Sequence, residues 1–92
     1  MDLGLKNKVA IITGGSDGIG KAAAISIAKE GGKVAIVGRS QSKIDSAISD
    51  IKIDTHNDVI GISADVSIES EVQNMVNEVI RKFGQIDILI NN

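Results

Sequence analysis

The sequence predicts an α/β domain built on an open, doubly wound parallel sheet. Three observations carry that expectation. Short apolar runs alternate with helix-period segments in the order β-α-β-α-β-α-β, the runs are apolar at consecutive rather than alternate positions, and glycines stand at nearly every junction. Strands apolar on both faces belong to parallel sheets that helices cover from each side. Right-handed crossovers then restrict the chain to a doubly wound topology, here with strand order 3-2-1-4.

Residues 8–13 (KVAIIT) form the first apolar run, which ends in Gly14 and Gly15 and reads as a buried strand. Residues 19–30 are alanine-rich and helix-favouring, with Gly31 and Gly32 as the stop. A second run, 34–37, closes at Gly38. Ile44, Ala47, Ile48 and Ile51 then fall at i, i+3, i+4 and i+7, a helical stripe for which Ser42 is the expected cap. Residues 59–62 are the third strand and run into Ala64 and Asp65. Ser67 is the expected cap of the next helix, whose Val72, Met75, Val76, Val79, Ile80 and Phe83 keep helical spacing up to Gly84. Glu69 and Glu71 suit its first turn, where the helix dipole favours acids. Residues 86–90 (IDILI) are the fourth strand.

Composition excludes several functions. Of the 92 residues, 10 are basic and 12 acidic, for a net charge of −2, and a pI near 5.2 is far from a nucleic-acid footprint. With no cysteine and one histidine, His56, there is neither a disulfide framework nor a thiolate or multi-histidine metal site. Hydrophobic residues at 42% and charged ones at 24% suit a globular domain. The apolar runs are far shorter than the roughly 20 residues needed to cross a bilayer, so no membrane is expected. Residues 1–8 hold no apolar core of signal-peptide length, and a cytoplasmic location is expected.

The chemistry lies in the loop Thr13-Gly14-Gly15-Ser16-Asp17-Gly18-Ile19-Gly20. Its glycines at 14, 18 and 20 let the backbone approach a ligand closely. The helix start behind it offers N–H groups and the positive dipole end to a pyrophosphate. A glycine turn serving only tight strand–helix packing is the alternative. Position after the first strand of a βαβ unit favours phosphate binding.

With T-G-x-x-x-G-I-G after the first strand, Asp65-Val66 after the third and Asn91-Asn92 after the fourth, the chain resembles the short-chain dehydrogenase/reductase family. It is similar to members of the 3-oxoacyl-ACP reductase and sugar dehydrogenase type. The resemblance runs from about residue 8 to the last residue. It implies a Rossmann fold, a nicotinamide dinucleotide cofactor, and interconversion of a carbonyl and an alcohol on a small-molecule substrate. It places Gly14, Ser16, Asp17, Gly18, Ile19 and Gly20 at the cofactor's phosphates and Asp65 and Val66 at its adenine. Asn92 falls where cofactor contact is expected, and Asn91 ties its strand to neighbouring backbone. Asp65 as a cap of the following helix is the alternative.

Rossmann folds that bind NAD place an acid at the end of the second strand for the ribose hydroxyls. This chain has Gly38-Arg39-Ser40 there, with no carboxylate before Asp45. A guanidinium grips a 2′-phosphate through a charge-assisted fork, whereas a carboxylate repels it. Arg39, helped by Ser40, therefore points to NADP, with NAD the alternative. Arg39 as a solvated loop charge is the competing reading. Asp17 counts against NADP, because many relatives that prefer NADP carry a base in the glycine loop. Lys21 reads as a solvated helix charge, and His56 is given no role.

The family's catalytic serine and Tyr-x-x-x-Lys pair lie after the fourth strand, and these 92 residues contain no tyrosine. Residues 1–92 are therefore expected to be the amino-terminal, cofactor-binding half-domain of a longer enzyme, inactive alone and without catalytic residues or metal ligands. Two alternatives stay open: a non-catalytic nucleotide-binding or regulatory module, and a structural or assembly fragment pairing through the open edge at 86–90. A homo-oligomer is compatible with each.

Overall fold

The computed structural model describes residues 4–16, 18–55 and 58–92. Four strands and three helices follow in alternation: β1 (Val9–Thr13), α1 (Gly18–Lys29), β2 (Lys33–Gly38), α2 (Gln41–Thr55), β3 (Val59–Ser63), α3 (Glu69–Phe83) and β4 (Ile88–Asn91). The strands form one parallel sheet in the order β3-β2-β1-β4, as the apolar runs predict. Asp17 and His56 lie outside the described residues.

The central strands show why the runs do not alternate. In β1, Ala10 and Ile12 join one core and Val9 and Ile11 the other; in β2, Val34 and Ile36 part from Ala35 and Val37 in the same way. α1 and α2 cover the first face through Ala24, Ile27, Ala28, Ile44, Ala47 and Ile51. α3 covers the second with Met75 and Val79, supported by Val72, Val76 and Phe83. Each strand residue thus removes apolar surface from water whichever way it points, at roughly 25 cal/mol per Å² buried. α1 and α2 are further joined by Lys21, whose Nζ meets Asp50 Oδ2 at 2.5 Å; this lysine is a tie between helices rather than a solvated charge.

The helix stops are backbone devices that need glycine. Gly31 takes φ 87°, its N–H bonds Ala28 O at 3.0 Å, and the Gly32 N–H bonds Ile27 O at 3.0 Å, the paired arrangement that satisfies the last carbonyls of a helix. Gly84, at φ 83°, closes α3 through an N–H bond to Ile80 O.

Three local expectations are corrected. The N-cap of α3 is Ile68, which makes no side-chain cap bond, because the Ser67 hydroxyl is already engaged by Asp65 Oδ1 at 2.6 Å. α2 is capped by Ser40, whose Oγ accepts the Lys43 N–H at 3.4 Å, and Ser42 lies inside the helix. β4 begins at Ile88 rather than Ile86. Asp87 Oδ2 takes the Val9 N–H at 2.9 Å, so a side chain stands where a ladder carbonyl would, while the Asp87 N–H still bonds Val9 O at 2.9 Å. Ile86 packs under α3 instead.

Close packing of α2 on the sheet depends on Gly61, since a Cβ there would run into Ile44 Cγ2 and Ile48 Cδ1. Gly61→Ala is expected to destabilise the fold by about 1–3 kcal/mol through overpacking. Ile44→Ala alone should cost about 2–5 kcal/mol, and the Gly61→Ala penalty should shrink in that background. Urea unfolding of the four members of this double-mutant cycle checks it, and strict additivity would contradict the contact.

Candidate functional site

All four strands deliver their carboxyl ends to one side of the molecule, where Thr13, Gly38, Ser63 and Asn91 are the last strand residues. In parallel α/β sheets this is the side on which ligands bind, at the point where strand order reverses; here β1 has β2 on one side and β4 on the other. A cleft of about 550 Å³ opens there, within the size range of small-molecule sites.

Seven of the residues singled out from the sequence line this cleft: Gly14, Ser16, Arg39, Ser40, Asp65, Val66 and Asn92. Gly18, Ile19 and Gly20 open α1 beside it without forming its wall, and Ile19 is 81% exposed. Thr13, read only as part of the loop motif, Ser67, read only as a helix cap, and Lys43, given no role, also line it. A polar residue ending an otherwise fully apolar strand is the signal for Thr13. For Lys43 it is a base in the first turn of the helix that follows Arg39.

Thr13 is the one buried polar residue among those described, 7% exposed, and it fastens two motifs together. Its Oγ1 donates to Asn91 Oδ1 at 2.9 Å and accepts the Asn92 N–H at 3.2 Å. The Asn91 tie therefore runs to a side chain rather than to backbone. Asn92 Nδ2 in turn donates to Gly14 O at 3.4 Å. Gly14 holds φ 68°, the left-handed region that glycine enters without strain. A Cβ on Gly20 would strike that same Gly14 carbonyl and come within 2.9 Å of Asn92 Nδ2. The start of α1 is thus drawn against the end of β1, and no acid lies in its first turn.

Across the cleft, the turn after β2 is held by β3. The Ala64 N–H bonds Gly38 O at 2.9 Å, and Ser63 Oγ donates to Arg39 O at 3.3 Å. Asp65 accepts both the Ser67 N–H, at 2.9 Å, and the Ser67 hydroxyl, while its own N–H bonds Glu71 Oε1 at 2.9 Å. The turn role and the cleft role coexist in this residue. The Ser67 hydroxyl above all, then the Ser67 N–H, hold the Asp65 carboxyl below its ordinary value of 3.8; partial burial opposes them and the Arg39 charge assists.

This donor set fits one end of a nicotinamide dinucleotide. A glycine cradle at a helix start suits a pyrophosphate, and the bases Arg39 and Lys43 suit a phosphate monoester. Val66, about half exposed, offers an apolar wall to a planar base. Among the described residues no group of His, Cys, Asp and Glu could hold a metal ion, and no helix is long and apolar enough to cross a membrane.

Comparison with known proteins agrees with this geometry. Residues 8–92 match the family model for short chain dehydrogenases. A short-chain dehydrogenase/reductase homolog of Bacillus subtilis, YusS, is 42% identical over 87 residues, covering 94% of this chain and 79% of the relative. L-sorbose reductase from Gluconobacter frateurii, solved with NADPH and L-sorbose, superposes with a TM-score of 0.95 at 39% identity, over 100% of this chain and 35% of that one. An NAD+-bound xylitol dehydrogenase superposes at 0.88 and 29% identity, over 92% and 32%. Other curated relatives are likewise covered over about a third of their length, 34–38%.

The depressed Asp65 carboxyl sets a pH dependence. A group whose folded pKa lies below its unfolded value stabilises the fold above the unfolded value and loses that contribution as pH falls through the folded one. Asp65→Ala is therefore expected to be less stable than wild type at neutral pH, with the difference closing once the pH drops below the carboxylate range. Denaturant midpoints at neutral and strongly acid pH measure this, and an unchanged difference would contradict it.

Proposed function

The chain belongs to the short-chain dehydrogenase family, and on that premise we propose that residues 1–92 are the cofactor-binding half-domain of an NADP-preferring oxidoreductase. The reaction proposed is interconversion of a carbonyl and an alcohol on a small-molecule substrate. Bound in the cleft, a nicotinamide dinucleotide would give the hydride to the carbonyl when reduced and take it from the alcohol when oxidised.

The residues of this chain bind and orient. Gly14, Ser16, Gly18, Ile19 and Gly20, with Asp17 between them, would carry the pyrophosphate at the start of α1. Asp65 would accept from the adenine amino group, and Val66 would wall the ring. Asn92, already pinned through Thr13 and Gly14 O, would hold the inner end of the cofactor in register. Arg39 and Ser40 would take the 2′-phosphate. Proton transfer at the substrate is assigned to residues outside these 92, which include no tyrosine. A cytoplasmic location accords with this reading.

The observation that carries the preference is the exit of β2. Gly38 ends the strand where a carboxylate would serve NAD, and Arg39 follows it into the cleft. Relatives solved with NADPH and with NAD+ are both similar to this chain, so the choice rests on these two residues. A non-catalytic nucleotide-binding module is the second reading. It is favoured by the relative that this chain covers over 79% of its length.

In the whole enzyme, Arg39→Ala is expected to raise the KM for NADP(H) about ten- to hundredfold, the loss of one charged hydrogen bond worth roughly 1.5–3 kcal/mol. KM for NAD(H) should stay nearly unchanged. Gly38→Asp should move preference toward NAD(H), since an added Cβ meets nothing closer than 3.7 Å and brings a carboxylate to the ribose. The ratio of kcat/KM for the two cofactors, at one ionic strength, is the measurement. A wild type that prefers NAD(H), or a ratio indifferent to Arg39→Ala, would contradict the assignment.

A further inference from the structure

The N-cap of α3, Ile68, has no side-chain oxygen to offer the free N–H groups of the first turn. Glu71 stands three residues on, where a glutamate ordinarily reaches back to the N-cap N–H. In this chain it reaches further: Glu71 Oε1 takes the Asp65 N–H at 2.9 Å, six residues back. The turn between them is closed from within. Asp65 O accepts the Ile68 N–H at 3.1 Å, and Ile68 O accepts the N–H groups of Glu71 and Val72, each at 3.1 Å. Asp65 and Val66 line the cleft, whereas Glu71, half-buried, lines a separate recess beside β3 with Ile62, Ser63 and Ala64. Glu71 thus holds the backbone of a cleft residue from behind without forming the cleft wall.

We propose that Glu71 is a positioning residue for the adenine end of the cofactor, acting through Asp65. The proposal rests on the reading above in which Asp65 accepts from the adenine amino group, and adds to it what aims that carboxylate. Ser67 places both of its donors, the N–H and the hydroxyl, on Asp65 Oδ1, which leaves Oδ2 for the amino group. Those bonds fix the carboxylate only relative to its own turn. The chain just before the turn is tied to β2 by the Ala64 N–H on Gly38 O. The Glu71 bond ties the turn itself to α3, whose Met75 and Val79 are buried against the sheet. Without an acceptor at position 71, the Asp65 N–H loses that tie and the turn keeps only the Ser67 and Ile68 bonds. A hydrogen bond weakens steeply as it bends, so a displaced Asp65 loses its selectivity for the amino group before the fold is lost.

The test is calorimetric titration of the intact protein with 5′-AMP and with purine riboside 5′-monophosphate, which lacks the amino group alone. Wild type, Asp65→Ala, Glu71→Ala, Glu71→Asp and Glu71→Gln are compared. Asp65→Ala is expected to abolish the preference for 5′-AMP. Glu71→Ala should weaken 5′-AMP about three- to tenfold, the worth of one hydrogen bond, and leave the amino-free nucleotide unchanged. Glu71→Asp, one methylene too short to reach the Asp65 N–H, should do the same while keeping the charge at the helix start, so it carries the test if Glu71→Ala does not fold. Glu71→Gln keeps an acceptor oxygen and should restore the wild-type preference. With Asp65→Ala still abolishing the preference, three results would overturn the role of Glu71 and leave the adenine reading standing: equal losses for both nucleotides in Glu71→Asp, a preference unchanged in that variant, or a Glu71→Gln variant that binds as Glu71→Asp does. A wild type indifferent to the amino group, or an Asp65→Ala variant that discriminates as well as wild type, would overturn the adenine reading and this inference with it.

Discussion

The close approach of α1 to the end of β1 is the constraint on which the rest of the site depends. Gly20 admits the Gly14 carbonyl into space that any Cβ would occupy, and the Asn92 amide donates to the same carbonyl. Thr13 then binds the start of this arrangement to Asn91 and to the backbone of Asn92. Two segments at opposite ends of the chain are thus fixed within one hydrogen-bonded unit, with the start of α1 packed against it. The Thr13 hydroxyl, the Asn92 N–H and the Asn92 side-chain amide each have an acceptor inside the protein. A binding site held in advance loses little further conformational freedom when it is filled.

The second wall of the cleft is built on a different principle. The turn after β2 is suspended from β3 by a main-chain bond at Gly38 O and a hydroxyl bond at Arg39 O, which leaves the side chains of Arg39 and Lys43 facing outward. The backbone there is tied by hydrogen bonds, while the charged side chains are exposed. That division suits a site in which the phosphates lie on backbone and the choice between two ribose substituents is made by side chains. The two faces of the sheet are also covered unequally. α1 and α2 share one face and α3 alone serves the other, where Leu89 on the outer strand remains 61% exposed.

Much of this architecture was legible in the sequence, and the reason is periodicity. Ala10 and Ile12 with Val9 and Ile11 make the short continuous apolar run of a strand buried on both faces, and the glycine pairs at 14–15 and 31–32, which mark turns, separate it from a helix. What escaped was decided by side chains that replace backbone partners. Asp87 stands in for a carbonyl opposite Val9 and delays β4, although IDILI reads as one run. Ser67 has the composition of a cap but bonds backward to Asp65, and Ser40 caps α2 where Ser42 was expected. Each is a choice between two local partners a few residues apart, settled by tertiary position rather than by residue type. The residues that line the cleft were legible in part: Gly14, Arg39, Ser40 and Asp65 fall just past strand ends, which periodicity locates, while the roles expected of Asp65, Val66 and Asn92 came from the family resemblance. The bonding of Thr13 and the place of Lys43 in the cleft wall escaped because they depend on where Asn91 and Arg39 come to rest.

The proposed function requires that the cleft at the carboxyl ends of the strands take a phosphorylated adenosine. Amide chemical-shift mapping of the protein titrated with NADP+ tests it most directly. The shifts should concentrate at Gly14, Ser16, Gly18 to Gly20, Arg39 to Lys43, Asp65 to Ser67 and Asn92, with the strand interiors unmoved. Shifts centred on the outer face of α2 around Ile48 and Lys52, or none at saturating ligand, would contradict it.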